Sequence, residues 1–443
     1  MNIQLSDHFT YSKLFRFTLP SIVMMIVTSI YSVVDGLFVS NFVGDGALAA
    51  VNIIYPLTMI VGAFGFMLGT GGSAQVAQTM GHGEPEKARQ YFTTLVLALV
   101  AGGVAISAVC ILFLRPLSTL FGANEALMPD CIAYGTIMLA GAPVFLLQTS
   151  FQSFLVAAER PKMGLALSVG AGLTNMVLDY VFIARLGWGV AGAALATVCG
   201  YVVAGGIPLI YFAMPNKSPL RFAKTKPYPK MILKSCSNGM GELMTNMSAS
   251  LVTVLYNRSL MSIAGEAGVA AYTVMMYVDF IFAAVCIGFS MGSAPIFSYQ
   301  YGADNREELR GLFSKCIRVI SATTVAMAVL GQIFNAPLTR IFVGYDPELT
   351  ALTVTGFRIF AVSFLFGGWN IFGSAFFTAL GDGKTALILS GLRTLILKCG
   401  AVLILSRLFG LNGIWWATGV AEGIAAAVTI WFFFRKRSKY HYA

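Results

Sequence analysis

Residues 19–36 read LPSIVMMIVTSIYSVVDG, an apolar stretch long enough to cross a bilayer that carries one carboxylate, Asp35. Because an α-helix rises about 1.5 Å per residue, Pro20 and Asp35 lie about 22 Å apart along a helix, near opposite faces of a hydrocarbon core roughly 30 Å thick. Proline also removes one backbone hydrogen bond from a helix. The stretch therefore predicts a transmembrane helix that can bend at Pro20 and that holds an ionisable group at Asp35.

The composition of the whole chain extends this prediction. Its 443 residues are 57% hydrophobic and 11% charged, with a mean hydropathy of +0.77. Soluble domains are about a quarter charged. A span and its loop take about 35 residues, since a span needs about 20 apolar ones, so the chain has room for about a dozen. We predict an all-α, polytopic membrane protein whose first span is retained, because no signal-peptide pattern precedes it.

Twelve apolar runs can be counted, from residues 13–40 to residues 411–434. With both termini in the cytoplasm, the inner segments hold 21 of the 29 Lys and Arg residues, the outer segments hold five, and three lie within spans. This bias predicts twelve transmembrane helices and two cytoplasmic termini in the plasma membrane, which is the cytoplasmic membrane of a bacterium or archaeon. It also accounts for the net charge of +10 without a nucleic-acid partner.

The two halves of the chain repeat each other at offsets of 221 to 223 residues. The pattern GFMLG at 65–69 corresponds to GFSMG at 288–292. We therefore predict two pseudo-symmetric six-helix bundles of the same orientation, residues 1–214 and 232–443, joined by a basic cytoplasmic linker at 215–231. Repeats related by an axis along the membrane normal are typical of secondary transporters that bind at the interface between lobes.

Five acidic residues fall well inside predicted spans: Asp35, Asp179, Glu242, Asp279 and Glu422. A carboxylate at mid-membrane costs about 2.5 to 3.5 kcal/mol on insertion scales, so each needs a partner, a proton or a function. A structural ion pair with Arg393 or Lys398 is the alternative to a functional role for each of them.

The fifth predicted span brings two polar side chains to one face. Asn175 and Asp179 are four residues apart, and amide and carboxylate oxygens suit a small cation or a proton. Thr197 on the next span can reach a similar depth. The second half keeps this threonine as Thr418, but it places Ala401 near the position of Asp179 and Tyr256 about where Asp35 stands. Cation chemistry is therefore expected in the first half.

Two further spans carry polar stripes at helical spacing. Asn238, Glu242 and Asn246 share a face of the seventh span, and Gln148 and Gln152 share a face of the fourth. Such stripes serve either as interhelical hydrogen bonds or as a cavity lining, and the sequence leaves both open. The residues that we assign to a substrate cavity are Tyr31, Gln148, Gln152, Asn238, Glu242, Asn246, Asp279, Trp369 and Asn370.

Motifs for enzymatic or nucleotide chemistry are missing from the sequence. There is no Walker lysine motif, the seven cysteines form no C-x-x-C pair, and the three histidines lie outside the predicted spans. We therefore expect no enzyme activity, no cofactor and no bound metal other than sodium as a coupling ion.

The chain resembles the multidrug and toxic compound extrusion (MATE) family over essentially its whole length. The resemblance is carried by the twelve spans in two like halves and by the glycine-rich second and eighth spans, which end in Gly81-His82-Gly83 and Gly302-Ala303-Asp304. The individual residues that carry it are Pro20, Asp35, Asn175, Asp179 and Thr197.

The resemblance implies two bundles that face each other across a cleft, alternating access, and export of amphipathic, often cationic compounds in exchange for sodium ions or protons. It also implies a cation site lined by Asp35, Asn175, Asp179 and Thr197, with the backbone carbonyl of Ala193. A branch of the family has acids on the seventh and tenth spans. Here Glu242 matches the first of these, but the tenth span, around Trp369 and Asn370, has none.

We therefore expect a monomeric antiporter for drugs or organic cations in the lipid bilayer. One alternative is a flippase for a lipid-linked saccharide or other lipid, for which only Arg393, Lys398 and Arg358 could form a cationic cavity. Another is a polytopic membrane enzyme, which the absence of intramembrane histidines disfavours.

Overall fold

Apolar α-helices make up most of the chain, as a computed structural model shows. The structure describes the backbone of residues 3–42 and 45–443 and the side chains of residues 3–30 and 49–443, and this part contains helices and no strand. The predicted all-α fold is confirmed.

The helices follow the predicted spans closely. Spans 1 to 6 are Tyr11–Phe42, Asp45–Gly81, Pro85–Leu112, Met128–Ala140 with Ala142–Ala157, Pro161–Arg185 and Gly189–Ala213. A short helix, Leu114–Leu120, lies between spans 3 and 4. Spans 7 and 8 share Pro229–Gly302, span 9 is Arg306–Val343, span 10 is Pro347–Ala379, and spans 11 and 12 share Gly383–Tyr440.

Three breaks explain how these helices make twelve spans. The 74 residues of Pro229–Gly302 would be about 110 Å long as one helix, several times the thickness of a bilayer. Gly265 has φ 61° and Gly410 has φ 58°, conformations that glycine adopts readily, and each divides a long helix into two spans. Span 4 bends by 55° at Gly141, two residues before Pro143, and its two helices form one span. The described helices therefore account for the predicted twelve spans.

The two lobes, residues 3–213 and 229–443, meet at glycine-lined contacts between spans 2, 7 and 8. A Cβ atom on Gly239 would overlap the carbonyl oxygen of Met67, and one on Gly81 would overlap that of Tyr299. Span 1 approaches span 8 in the same way, because Gly288 packs on the backbone of Ser21 and Ile22. Glycine lets these backbones touch.

These contacts lie in one half of the molecule, from the end of spans 2 and 8 to about their middle, and we call this half the closed end. It carries the turn at 82–84, the turn at 303–305 and the non-helical segment 214–228. Every hydrogen bond between the lobes that the described residues make also lies there, including Gln78 Nε2 to the carbonyl of Ala379 at 2.8 Å. The positive-inside bias predicts that the closed end faces the cytoplasm.

Candidate functional site

The polar residues predicted on span 5 are buried in the middle of the first lobe. Asn175 and Asp179 are both 0% exposed and lie one helical turn apart. Immediately after Asp179 the helix widens into a π-helix, Tyr180–Arg185, a feature that is frequent at functional sites.

Span 6 supplies the next part of this site. The Asn175 amide nitrogen donates to the Thr197 hydroxyl at 3.2 Å, and that hydroxyl donates to the carbonyl of Ala193 at 3.0 Å. The two spans approach closely because Gly200 faces the backbone of Ala171. Two consecutive hydrogen bonds thus connect Asn175, Thr197 and Ala193.

This chain of hydrogen bonds leaves the amide oxygen of Asn175 buried and without a hydrogen-bond partner among the described residues. The Asp179 carboxylate, the Asn175 oxygen and backbone carbonyls are oxygen ligands of the kind that a small hard cation prefers. Asp35 and Tyr31 are the predicted residues whose side chains lie outside the described part. Their helix, span 1, packs against span 5.

Pro20 is buried within span 1, and the helix continues through it. Its neighbours Thr18 and Ser21 touch Gly292 and Gly288 of span 8. The proline therefore lies at the level where the lobes meet.

Gln148 and Gln152 line a small cavity between spans 4, 5 and 6, together with Ser168 and Ala204. The amide oxygens of both glutamines are buried and have no hydrogen-bond partner among the described residues. This stripe therefore faces a cavity.

In the polar stripe on span 7, Asn238 makes hydrogen bonds to other helices instead of lining that cavity. Asn238 donates to the carbonyls of Thr378 at 2.9 Å and Gly71 at 3.5 Å, so it joins the closed end. Asn246 donates to the backbone of Glu242, one turn earlier, and Glu242 is half-buried. Asn238 thus acts as an interhelical hydrogen-bonding residue.

Five side chains in the second lobe form a network of ion pairs and hydrogen bonds inside the membrane-spanning region. Arg393 Nε donates to both carboxylate oxygens of Glu422 at 2.9 Å, and Lys398 Nζ lies 3.2 Å from Glu422 Oε1. Asn370 Nδ2 donates to Glu422 Oε2 at 2.7 Å, and the Thr429 hydroxyl donates to the Asn370 amide oxygen at 3.0 Å. Glu422 is therefore the acid that makes the structural ion pair.

Asp279 lines a cavity of the second lobe together with Arg393, Glu422, Phe282 and Phe364. Its carboxylate makes no ion pair within 4 Å with a described residue, and the hydroxyl of Ser363 in the same cavity is buried without a hydrogen bond. Trp369, by contrast, is half-buried against the apolar core. The sequence allows Arg393 or Lys398 as an ion-pair partner for any of the five acids and predicts that Asp279 lines a cavity. It does not identify Glu422 as the paired acid, because no sequence spacing links spans 8, 11 and 12.

Comparisons with known proteins give one consistent result. Residues 20–181 and 242–401 match the profile of the MatE family. The multidrug export protein MepA of Staphylococcus haemolyticus is 21% identical over 434 residues, which cover 97% of this chain and 94% of that protein. MepA of Staphylococcus saprophyticus is 22% identical over 424 residues, covering 94% and 92%.

Solved structures show the same fold. The outward-facing conformation of a multidrug resistance MATE family transporter of the MOP superfamily has a TM-score of 0.90 at 24% identity, and the match covers 96% of this chain and 95% of that one. A MOP superfamily transporter from Pyrococcus furiosus Vc1, described as having a binding pocket of reverse polarity, has a TM-score of 0.87 at 24% identity, with 95% of each chain covered.

Proposed function

Because the chain belongs to the MatE family of membrane transporters, we propose that it is a secondary active antiporter that exports amphipathic, often cationic compounds in exchange for sodium ions or protons. The observation that carries this proposal is the buried oxygen set of spans 5 and 6. Asp179 and Asn175 are both 0% exposed, the amide oxygen of Asn175 has no hydrogen-bond partner among the described residues, and Thr197 links Asn175 to the carbonyl of Ala193. We assign Asp35 to the same site.

In the proposed cycle, the coupling ion stabilises one conformation of the first lobe. An ion shifts such an equilibrium only by its different affinity for the two states. Span 1 links the site to the closed end, because it carries both Asp35 and the residues around Pro20 that touch span 8. Bending at Pro20 then separates the lobes at that end, and an inward ion gradient makes the cycle directional.

The substrate is proposed to lie in the cleft between the lobes, next to the cavities that Gln148, Gln152 and Asp279 line. The protein would act as a monomer in the cytoplasmic membrane, with both termini inside, and would need no cofactor.

The flippase alternative is weakened by the ionic network. An anionic pyrophosphate carrier needs uncompensated positive charge, but Arg393 and Lys398 both pair with Glu422, and Asp279 lines the same cavity as Arg393, so two carboxylates oppose the two cations. The enzyme alternative gains no support from the described residues, which contain no group of three or more His, Cys, Asp or Glu side chains that could hold a metal ion.

The deciding experiment measures efflux of a fluorescent organic cation from vesicles, with the sodium gradient and the pH gradient imposed one at a time. We expect one gradient to drive efflux, and Asp35→Asn and Asp179→Asn to reduce it at least tenfold. Glu125→Gln, at an exposed outer position, is the matched control. Coupled efflux near the wild-type rate in both aspartate variants would overturn the ion site.

A second variant tests the bending step separately. If Pro20→Ala keeps the wild-type efflux rate, the proposed bend at Pro20 is wrong while the ion site stands.

A further inference from the structure

Residues 3–10, which we call the strap, precede span 1 without forming a helix. The strap is nevertheless anchored, because Leu5 and Phe9 are both 0% exposed and belong to the main apolar core. Phe9 also packs edge-on against Phe17, with ring centroids 6.0 Å apart. Complete burial of two large side chains shows that the strap is a fixed part of the closed end.

One residue of the strap joins the two lobes through its backbone. The Leu5 N–H donates to Glu159 Oε1 at 2.8 Å, and Glu159 lies in the turn between spans 4 and 5 of the first lobe. The Leu5 carbonyl accepts from Gln300 Nε2 at 2.9 Å, and Gln300 lies at the end of span 8 in the second lobe. Leu5 therefore bridges the lobes.

A second group of contacts binds the strap to span 9. The Phe9 N–H donates to Glu308 Oε1 at 2.8 Å, while the Phe9 carbonyl accepts from Lys315 Nζ at 2.7 Å. His8 Nδ1 lies 2.5 Å from the other carboxylate oxygen of Glu308. Hydrogen bonds to charged groups are stronger than neutral ones, so Glu308 and Lys315 form the firmest attachment of the strap to the second lobe.

These contacts join elements that must separate if the closed end opens. The strap is continuous with span 1 of the first lobe, while Gln300, Glu308 and Lys315 belong to the second. We propose that the strap is a latch that holds the lobes together at the closed end, and that its release from Glu308 and Lys315 is a required step of opening. This inference rests on the alternating-access cycle proposed above.

The test is hydrogen–deuterium exchange of the full-length protein in detergent, read at the strap and at the closed-end segments 75–81 and 235–241. Glu308→Gln keeps an acceptor for Phe9 but removes the charge, and Lys315→Met removes the donor to the Phe9 carbonyl. We expect each to raise exchange at least threefold in the strap and in both closed-end segments. The matched control is Glu307→Gln, one residue away and exposed, which should leave exchange unchanged.

Two outcomes would overturn the latch. In the first, exchange in both variants stays at the wild-type level although their thermal melting shows them to be folded. In the second, exchange rises in the strap alone, which would make the strap a local structural element. Because exchange needs no substrate, loss of the proposed efflux function in the wild type would leave this result readable.

Discussion

The hydroxyl of Tyr256 lies 2.8 Å from the hydroxyl of Thr418 in the middle of the second lobe. Through the internal repeat, these two residues correspond to Asp35 and Thr197 of the first lobe. Tyr256 is 0% exposed and stacks on Tyr272, with ring centroids 4.7 Å apart. The second lobe therefore fills the equivalent position with a neutral hydroxyl pair, whereas the first keeps a buried amide oxygen that accepts no hydrogen bond from a described residue.

This contrast predicts that the same substitution affects ion affinity in the first lobe and stability in the second. Thr197→Val removes the hydroxyl that accepts from Asn175, and we expect the apparent affinity for the coupling ion to fall about tenfold, or about 1.4 kcal/mol. Thr418→Val leaves the Tyr256 hydroxyl buried and unbonded, which costs about 1–3 kcal/mol of stability. Its ion dependence should remain that of the wild type.

Efflux as a function of ion concentration, together with thermal melting in detergent, separates these two effects. The interpretation fails if Thr418→Val shifts the ion dependence as much as Thr197→Val does.

Much of the architecture follows from the sequence because its determinants are local or periodic. A bilayer fixes the length of each span, so apolar runs give their number. The four-residue step from Asn175 to Asp179 gives a shared face without knowledge of any other helix. The repeat offset places Tyr256 and Thr418 opposite Asp35 and Thr197, although it does not show that they are hydrogen-bonded.

What the sequence leaves open depends on contacts between distant elements. Arg393 and Lys398 are available to all five intramembrane acids, and only the packing of spans 10, 11 and 12 selects Glu422 as their partner. The strap residues His8 and Phe9 lie 300 and 299 positions from Glu308 in the sequence. A polar segment before span 1 does not indicate which distant residue it will contact.

Gly239 tests the backbone contact at the closed end. A methyl group there would overlap the carbonyl oxygen of Met67, so Gly239→Ala should force spans 2 and 7 apart. We expect increased hydrogen exchange in residues 67–81 and at least a tenfold loss of efflux. The control is Gly102→Ala on span 3, where an added Cβ meets no atom within 4 Å. Efflux at the wild-type rate in Gly239→Ala would show that transport does not require this close contact.

Glu422 tests the ionic network of the second lobe. Glu422→Gln removes the buried carboxylate that pairs with the partly buried Arg393 and Lys398. Breaking a fully buried ion pair costs about 3–5 kcal/mol, so we expect a loss of stability toward the lower end of that range. Thermal melting in detergent should show this loss, and the exposed Glu348→Gln should not. The triple variant Glu422→Gln, Arg393→Met and Lys398→Met should recover part of the lost stability, since neither cation then remains without its paired carboxylate. A Glu422→Gln protein as stable as the wild type would contradict the structural role of the pair.

The surroundings of Asp382 at the closed end predict that the stability of the protein depends on pH. It caps the helix of span 11, where Thr385 Oγ1 donates to its carboxylate at 2.9 Å and Lys436 Nζ lies 3.1 Å away. Burial alone would raise the pKa of Asp382, but the hydrogen bonds from Thr385, Tyr440 and Lys436 together lower the pKa below its ordinary value of 3.8. A carboxyl group with a lowered folded-state pKa stabilises the protein fully above its unfolded pKa, and this stabilisation is lost as the pH falls through the folded value.

Asp382→Asn keeps the cap but removes the charge, so it should lower the melting temperature at pH 7, and the difference from the wild type should shrink below about pH 4. Asp346→Asn is the matched control, because Asp346 caps span 10 through Glu348 and Leu349 but makes no ion pair with a described residue. Thermal melting in detergent from about pH 3 to pH 7 measures both. A difference between wild type and Asp382→Asn that stays constant across this range would show that the charge of Asp382 does not stabilise the closed end.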